Sequence, residues 1–408
     1  MHNRQRWDLP VSTLSRSDIA TAEDVKAAIR DNAPLIKANA RDSEAQRRVS
    51  EETIDALKAA GAFRIATPRS HGGLETSLRD MMDVSALIAE SDGGAAWVVT
   101  LSNINAWVAG LNGGQAADEV WANGPDAIIG GVVAPSGTAR AVPGGYQVSG
   151  TWAYSSASLH ADWAGGGVYL LDEDGEVIDQ GMVSLPRGDF RIEDTWYVAG
   201  MRSSGSNTVI AEDVFVPEHR YGSLLPVMMG SYLADHPDAP FYRSAIGPML
   251  VMVLVGPQLG LGRAALELVT TKAPGKALAY STFERQADSV AFQLLIAEAA
   301  MKVETAHLHA FRAADDVQRY ADLGVFPDTD IRARIRADSA VAIRSINEAI
   351  NILLDANGSG SFAEVNAMQR IWRDSNVAAR HAVILPQVSM ETYGKALLGI
   401  DDHITQIL

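Results

Sequence analysis

The chain has 408 residues, 47% hydrophobic and 21% charged, which suits a soluble globular protein of two or three domains with a large core. Its 34 basic and 50 acidic residues give a net charge of -16, so no basic field favours nucleic acid or anionic lipid. It contains no cysteine, which excludes disulfides, thiolate nucleophiles, iron–sulfur clusters and cysteine-bound zinc, and any redox chemistry must come from a cofactor.

The opening "MHNRQRWDLP" lacks the apolar core of a signal peptide. The longest apolar run, Met249 to Val255, lies between Pro248 and Pro257 and falls far short of the ~20 residues that span a bilayer, so a cytoplasmic protein is expected. Residues 17–125 carry a helical pattern. In "VSEETIDALKAAG", Ser50 before Glu51 and Glu52 predicts a helix start and Gly61 its stop.

Residues 126–228 switch to short β-branched runs: "AIIGGVV", then "ARAVPGGYQVSGTWAY" around a Pro-Gly-Gly turn, "GGGVYLLDEDGEVI", "GMVSL" and "NTVIAEDVFVP". With no helical pattern between them they predict an antiparallel barrel or sandwich. Over residues 229–408 the helical period returns. Ile335, Ile343, Ile346, Ile350 and Leu353 form one apolar face that stops at Asn357-Gly358, and Val290, Leu294, Ala297 and Met301 repeat the pattern one helix earlier. No internal repeat, low-complexity tract or long linker interrupts these segments.

No Gly-x-Gly-x-x-Gly turn sits between a strand and a helix, so an intrinsic nicotinamide site is not expected; the glycines of "GPQLGLG" read as close helix packing. His307 and His309 point to different helix faces, and no metal site is indicated. A Gly-x-Ser-x-Gly elbow is absent. Three polar-aromatic islands remain: "WAYSSASLHADW", "DTWYVAGMRSSGSN" and "RIWRDSNVAARHA".

With "LKAAGAFRIATPRSHGG" and the order helices, strands, helices, these islands resemble the acyl-CoA dehydrogenase superfamily of flavoproteins over nearly the whole chain. The resemblance implies an α+β fold: an N-terminal helical bundle, a central antiparallel β-domain and a C-terminal four-helix bundle. A dehydrogenase would need a carboxylate base just before the late Arg373-Asp374 pair, but the matching position is Val365, with Glu364 one residue off. The other branch of the superfamily is the oxygenase components of two-component flavin monooxygenases, which act on 4-hydroxyphenylacetate, secosteroid phenols, dibenzothiophene or indole. Its pattern is present as Tyr154-Ser155-Ser156, as Gly200-Met201-Arg202 with Gly205-Ser206, and as His381 seven residues after Asp374. The chain departs from that pattern in having Asn105, eight residues after Trp97, in place of a histidine and Ala157 in place of a glycine.

The oxygenase resemblance implies that reduced FAD or FMN, supplied by a separate NAD(P)H:flavin reductase, adds O2 to form a C4a-hydroperoxyflavin that hydroxylates or epoxidises a small aromatic, an indole or a phenol. It further implies a homotetramer. Ser156 would face the flavin N5, His381 would move a proton near the peroxide from the same helix face as Asp374 and Ala378, and Asn105 would bind an N–H or carbonyl of the substrate. Tyr154, Ser155, Arg202, Ser204 and Ser206 would join Ser156 in holding the cofactor, with Trp97, Trp152 and Asn105 around the substrate and Trp163 in the aromatic wall. On structural readings, the serine pair only closes strand-end hydrogen bonds, Arg373 and Asp374 form an ion pair fixing the last helix, and His160 and Asp162 are surface residues. The alternatives are an acyl-CoA dehydrogenase-like FAD enzyme with Glu364 as base, and a non-catalytic flavin-binding or scaffold protein.

Overall fold

The computed structural model describes residues 19–408; Ser17 and the opening decapeptide used above lie outside the described residues. Helices α1 (Ala22–Gln46), α2 (Glu51–Ala59), α3 (Leu78–Ala89), α4 (Gly93–Asn112) and α5 (Gly114–Val120) form the first part. The α2 start matches its sequence signal. Ser50 accepts the Thr53 N–H, and after the helix Gly61 takes a φ of 75°. α4 is apolar on all sides and almost wholly buried, and Asp92 caps it by accepting the N–H groups of Gly94 and Ala95.

Seven strands follow: β1 (Ile129–Val142), β2 (Gly145–Ser155), β3 (Trp163–Leu171), β4 (Val177–Pro186), β5 (Arg191–Glu193), β6 (Asn207–Pro217) and β7 (Tyr221–Ser223). They make one sheet in the order β5-β6-β2-β1-β3-β4-β7. The Pro-Gly-Gly signal closes the β1–β2 hairpin, where Val142 pairs with Gly145. Every pairing is antiparallel as expected except β1 with β3, which is parallel with bulges around Pro135. The parallel pair arises because the chain leaves β2 on one side of β1 and returns on its other side. Residues 156–162 make that crossing, so the serine-rich island is the passage past the end of β1.

The remaining helices are α6 (Leu224–Met228), α7 (Ile246–Met252), α8 (Val255–Lys272), α9 (Val290–Leu323), α10 (Thr329–Asn357), α11 (Ala367–Ala378) and α12 (Pro386–Leu397). Pro248 and Pro257 do not close the apolar run as the sequence suggested; each sits in the first turn of α7 or α8, where the missing N–H has no intrahelical partner to lose. The stretch Ile246–Gly275 is long and apolar enough to cross a membrane, and 89% of its most apolar window is buried inside the protein. In "GPQLGLG" a Cβ at Gly260 would lie 2.0 Å from the Ala86 carbonyl oxygen, so the glycine lets α8 lie directly on α3. α10 buries its isoleucine face and ends at Gly358 as read. α9 does not follow its apolar pattern inward: Val290, Leu294, Ala297 and Met301 are exposed, and alanines such as Ala299, Ala306 and Ala310 fill the core face. Leu308 extends the same exposed row.

Candidate active site

The β2 exit, the loop before β6, the first turns of α4 and the end of α11 meet at one buried point. Trp97, on the first turns of α4, donates its indole N–H to Ser156 Oγ at 3.1 Å. Ser156 Oγ lies 2.8 Å from Ser206 Oγ, which lies 2.8 Å from Ser204 Oγ, and Ser204 donates to the Met201 carbonyl at 2.7 Å. All three hydroxyl-bearing residues are buried. Trp196, which the sequence reading did not single out although it lies in the second island, donates its indole N–H to the same Met201 carbonyl at 2.9 Å. Ala157, at the glycine position of the resemblance, has a φ of 65°, so the backbone keeps the left-handed turn that a glycine would favour.

The Met201 peptide is fixed from its other end, where its N–H donates to Asp374 Oδ1 at 2.6 Å. A Cβ at Gly200 would stand 2.2 Å from the Arg373 carbonyl oxygen, which explains why a glycine precedes Met201 where α11 presses on the loop. Arg373 and Asp374 are not an ion pair with each other. Arg373 pairs with Glu44 at 2.5 Å and also donates to the Ala199 carbonyl, while Asp374 is buried facing the loop. Burial, reinforced by nearby Asp92, pushes the Asp374 pKa up to about 7 against the opposing Met201 N–H. Burial likewise raises Asp92, whose Oδ1 accepts from Ser203 at 3.4 Å.

His381 does not share a helix face with Asp374 and Ala378, because α11 ends at Ala378 and the chain turns. It caps the following 3-10 turn, its Nδ1 accepting the Val383 N–H at 3.4 Å. The imidazole packs edge-on against Trp97 with ring centroids 5.7 Å apart, so one indole touches both Ser156 and His381. Burial pushes the His381 pKa down to about 4. The ring is therefore neutral at neutral pH, not poised to titrate there, and with Nδ1 accepting, its proton sits on Nε2.

Two turns further along α4, Asn105 lines a cleft with Ile129, Trp163, Gly165, Met182 and Ser184. Its amide NH2 donates to the carbonyls of Leu101 at 2.8 Å and Ile129 at 3.4 Å. Its Oδ1 accepts from no group among the described residues and lies against Gly131 of β1. A Cβ at Gly131 would lie 2.6 Å from that oxygen, so the glycine on β1 leaves room for it.

The other expected site residues divide. Trp152 is not part of this wall: the alternation along β2 turns it into the separate core of the sheet, where it is 1% exposed and donates to the Gly167 carbonyl at 2.8 Å. Tyr154, two residues on, is exposed with a φ of 63° and meets Trp196 edge-on at 6.0 Å. Ser155 is buried beside Gly130 of β1. Arg202 donates from Nε and Nη1 to the carbonyls of Glu44 and Val198, bracing α1 against the loop. Of the surface assignments, Asp162 is exposed but His160 has its imidazole buried, 3.6 Å from Glu51, and burial pushes its pKa down to about 4. Glu364 is exposed in the turn before α11, away from the hydroxyl cluster.

The buried hydroxyl cluster, with its protons given to neighbours in the protein, fits the edge of a flat heterocycle that carries an N–H. Hydroxyls and indole N–H groups are gathered beside the Tyr154–Trp196 pair, and the carboxyls of Asp92 and Asp374 are turned to backbone and Ser203. No group of three or more His, Asp or Glu side chains among the described residues is placed to hold a metal ion.

Residues 252–386 match the family model described as the acyl-CoA dehydrogenase C-terminal domain. The chain is 30% identical over 388 residues to the flavin-dependent monooxygenase oxygenase subunit HsaA of Mycobacterium tuberculosis, covering 95% of this chain and 98% of that one. It is 28% identical to the indole-3-acetate monooxygenase of Pseudomonas putida, covering 87% and 88%. Among solved structures, XiaF from a Streptomyces species, in complex with FADH2 and glycerol, superimposes with a TM-score of 0.91 at 34% identity, covering 94% of this chain and 97% of that one.

Proposed function

The chain belongs to the oxygenase subunits of two-component flavin-dependent monooxygenases, built on the acyl-CoA dehydrogenase fold, and we propose that it hydroxylates or epoxidises a small aromatic bearing an N–H or O–H donor, an indole or a phenol. Reduced FAD or FMN, delivered by a separate NAD(P)H:flavin reductase, would supply the oxygen-activating chemistry when bound. In this reading Ser156 faces the flavin N5, Tyr154, Ser155, Arg202, Ser204 and Ser206 build the surrounding shell, and the Trp97 and Trp163 rings keep water away. His381, as a neutral imidazole, would hold a hydrogen bond from its Nε2–H on the departing oxygen and keep its proton.

The observation that carries the reading is the convergence on Trp97, which hydrogen-bonds Ser156 and packs on His381 while Asn105 lines a cleft two turns along the same helix. Because the Asn105 amide NH2 is taken by backbone carbonyls, its free oxygen suits a substrate N–H or O–H and not a substrate carbonyl. Asn105→Leu is expected to raise KM for such a substrate about tenfold, the worth of one hydrogen bond, with reduced-flavin affinity unchanged. Steady-state kinetics with indoles and phenols checks this, and an unaltered KM removes Asn105 from the pocket. The dehydrogenase alternative finds no support, since Glu364 is exposed in a turn.

A homotetramer completes the proposal. Val290, Leu294, Met301 and Leu308 line an exposed row on α9 at spacings of four and seven, the spacing that packs one helix against another copy. The double variant Leu294→Glu with Met301→Glu is expected to lower the mass measured by light scattering, whereas an unchanged mass places the subunit contacts elsewhere.

A further inference from the structure

The hydroxyl chain has a direction. A carbonyl only accepts and an indole N–H only donates, so the two ends of the chain, Met201 O and Trp97 Nε1, fix what lies between. Ser204 spends its one proton on Met201 O; turning it away would set two oxygen lone pairs face to face at 2.7 Å. Ser206 must then donate to Ser204, and Ser156 to Ser206. The three residues are 5%, 3% and 1% exposed, so water does not readily replace a link.

Ser156 Oγ is left with its proton committed, one lone pair taken by Trp97 and one lone pair free. It is an acceptor only. Resting on the reading that Ser156 faces the flavin N5, we infer that Ser206, Ser204 and Trp97 are positioning residues that make the site select reduced over oxidised flavin. Reduced flavin carries a hydrogen on N5 and satisfies the free lone pair. Oxidised flavin presents a lone pair at N5 to another lone pair, a mismatch that one rotation of an unrestrained hydroxyl would cure. The chain withholds that rotation.

The test is the ratio of dissociation constants for oxidised and anaerobically reduced FMN and FAD, by titration of wild type, Ser206→Ala, Ser206→Thr, Ser204→Ala and Ser156→Ala. Ser206→Ala frees the Ser156 proton to turn toward N5, so the oxidised-to-reduced ratio should fall about tenfold. The bound flavin's midpoint potential should fall with it, by about 30 mV for a two-electron couple. Ser206→Thr, which keeps the hydroxyl, should retain the wild-type ratio. Ser204→Ala should move it in the same direction as Ser206→Ala, which keeps the test open if one variant does not fold. A ratio that shifts in Ser156→Ala but in neither chain variant overturns the inference and leaves Ser156 at N5. A ratio that shifts in none of them overturns the N5 placement as well.

Discussion

Ser156→Ala is expected to uncouple the enzyme: flavin consumption continues, but most of the oxygen leaves as hydrogen peroxide. With reduced flavin bound, Ser156 would hold the N5–H with a fixed acceptor in a water-poor site and so oppose loss of that proton and of peroxide. Removing one such hydrogen bond costs roughly 1–3 kcal/mol, so peroxide elimination should accelerate by about 5-fold to 150-fold. The Trp97 indole N–H would also lose its partner, a second reason for the site to loosen. Peroxide formed per reduced flavin consumed is the readout, and unchanged coupling takes Ser156 away from N5.

His381→Ala is expected to slow oxygen transfer by about 10²-fold or more, the usual worth of a hydrogen-bond donor aimed at a developing oxyanion, with reduced-flavin binding altered only a few-fold. Single-turnover kinetics separates the two. The pH dependence carries a sharper signature. Because burial holds the His381 pKa at about 4 and the Nε2–H is present above that value, wild-type transfer should stay level as pH falls from neutral, with no titration of this ring near 6.5. The same shift bears on stability. The folded-state pKa lies below the ordinary 6.5, so the unfolded chain takes up the proton first, and the stability present above 6.5 is lost progressively as pH falls toward about 4. Wild-type turnover in the variant returns His381 to a capping role alone.

Much of this was legible in the residues. The Pro-Gly-Gly turn, the run "NTVIAEDVFVP" that became β6, the Ser50 cap and the Asn357-Gly358 stop are local signals, set by neighbours in the chain, and the structure follows them. Ser156 and Trp97 stood out by pattern and do converge, while Ser155 turns to Gly130 of β1. What stayed hidden depends on distant partners. Ser156 and Ser206 lie fifty residues apart and meet only because β2 and β6 pair beside each other, with Ser155 opposite Asn207. Trp152 shares its island with Ser156, yet strand alternation sends it into the sheet core. His381 kept the spacing of a helix face, but α11 ends three residues before it. On α9 the apolar row and the alanine row are both plausible core faces from composition, and only packing against α10 selects the alanines.

The decisive measurement is anaerobic mixing of the protein with reduced FMN or FAD, followed by oxygen, with absorbance recorded through flavin reoxidation. A long-lived spectrum of the C4a-hydroperoxide, distinct from oxidised flavin and shortened by Ser156→Ala, is the predicted result. Reoxidation as fast as that of free flavin, with no such species, would contradict the oxygenase mechanism proposed for this site.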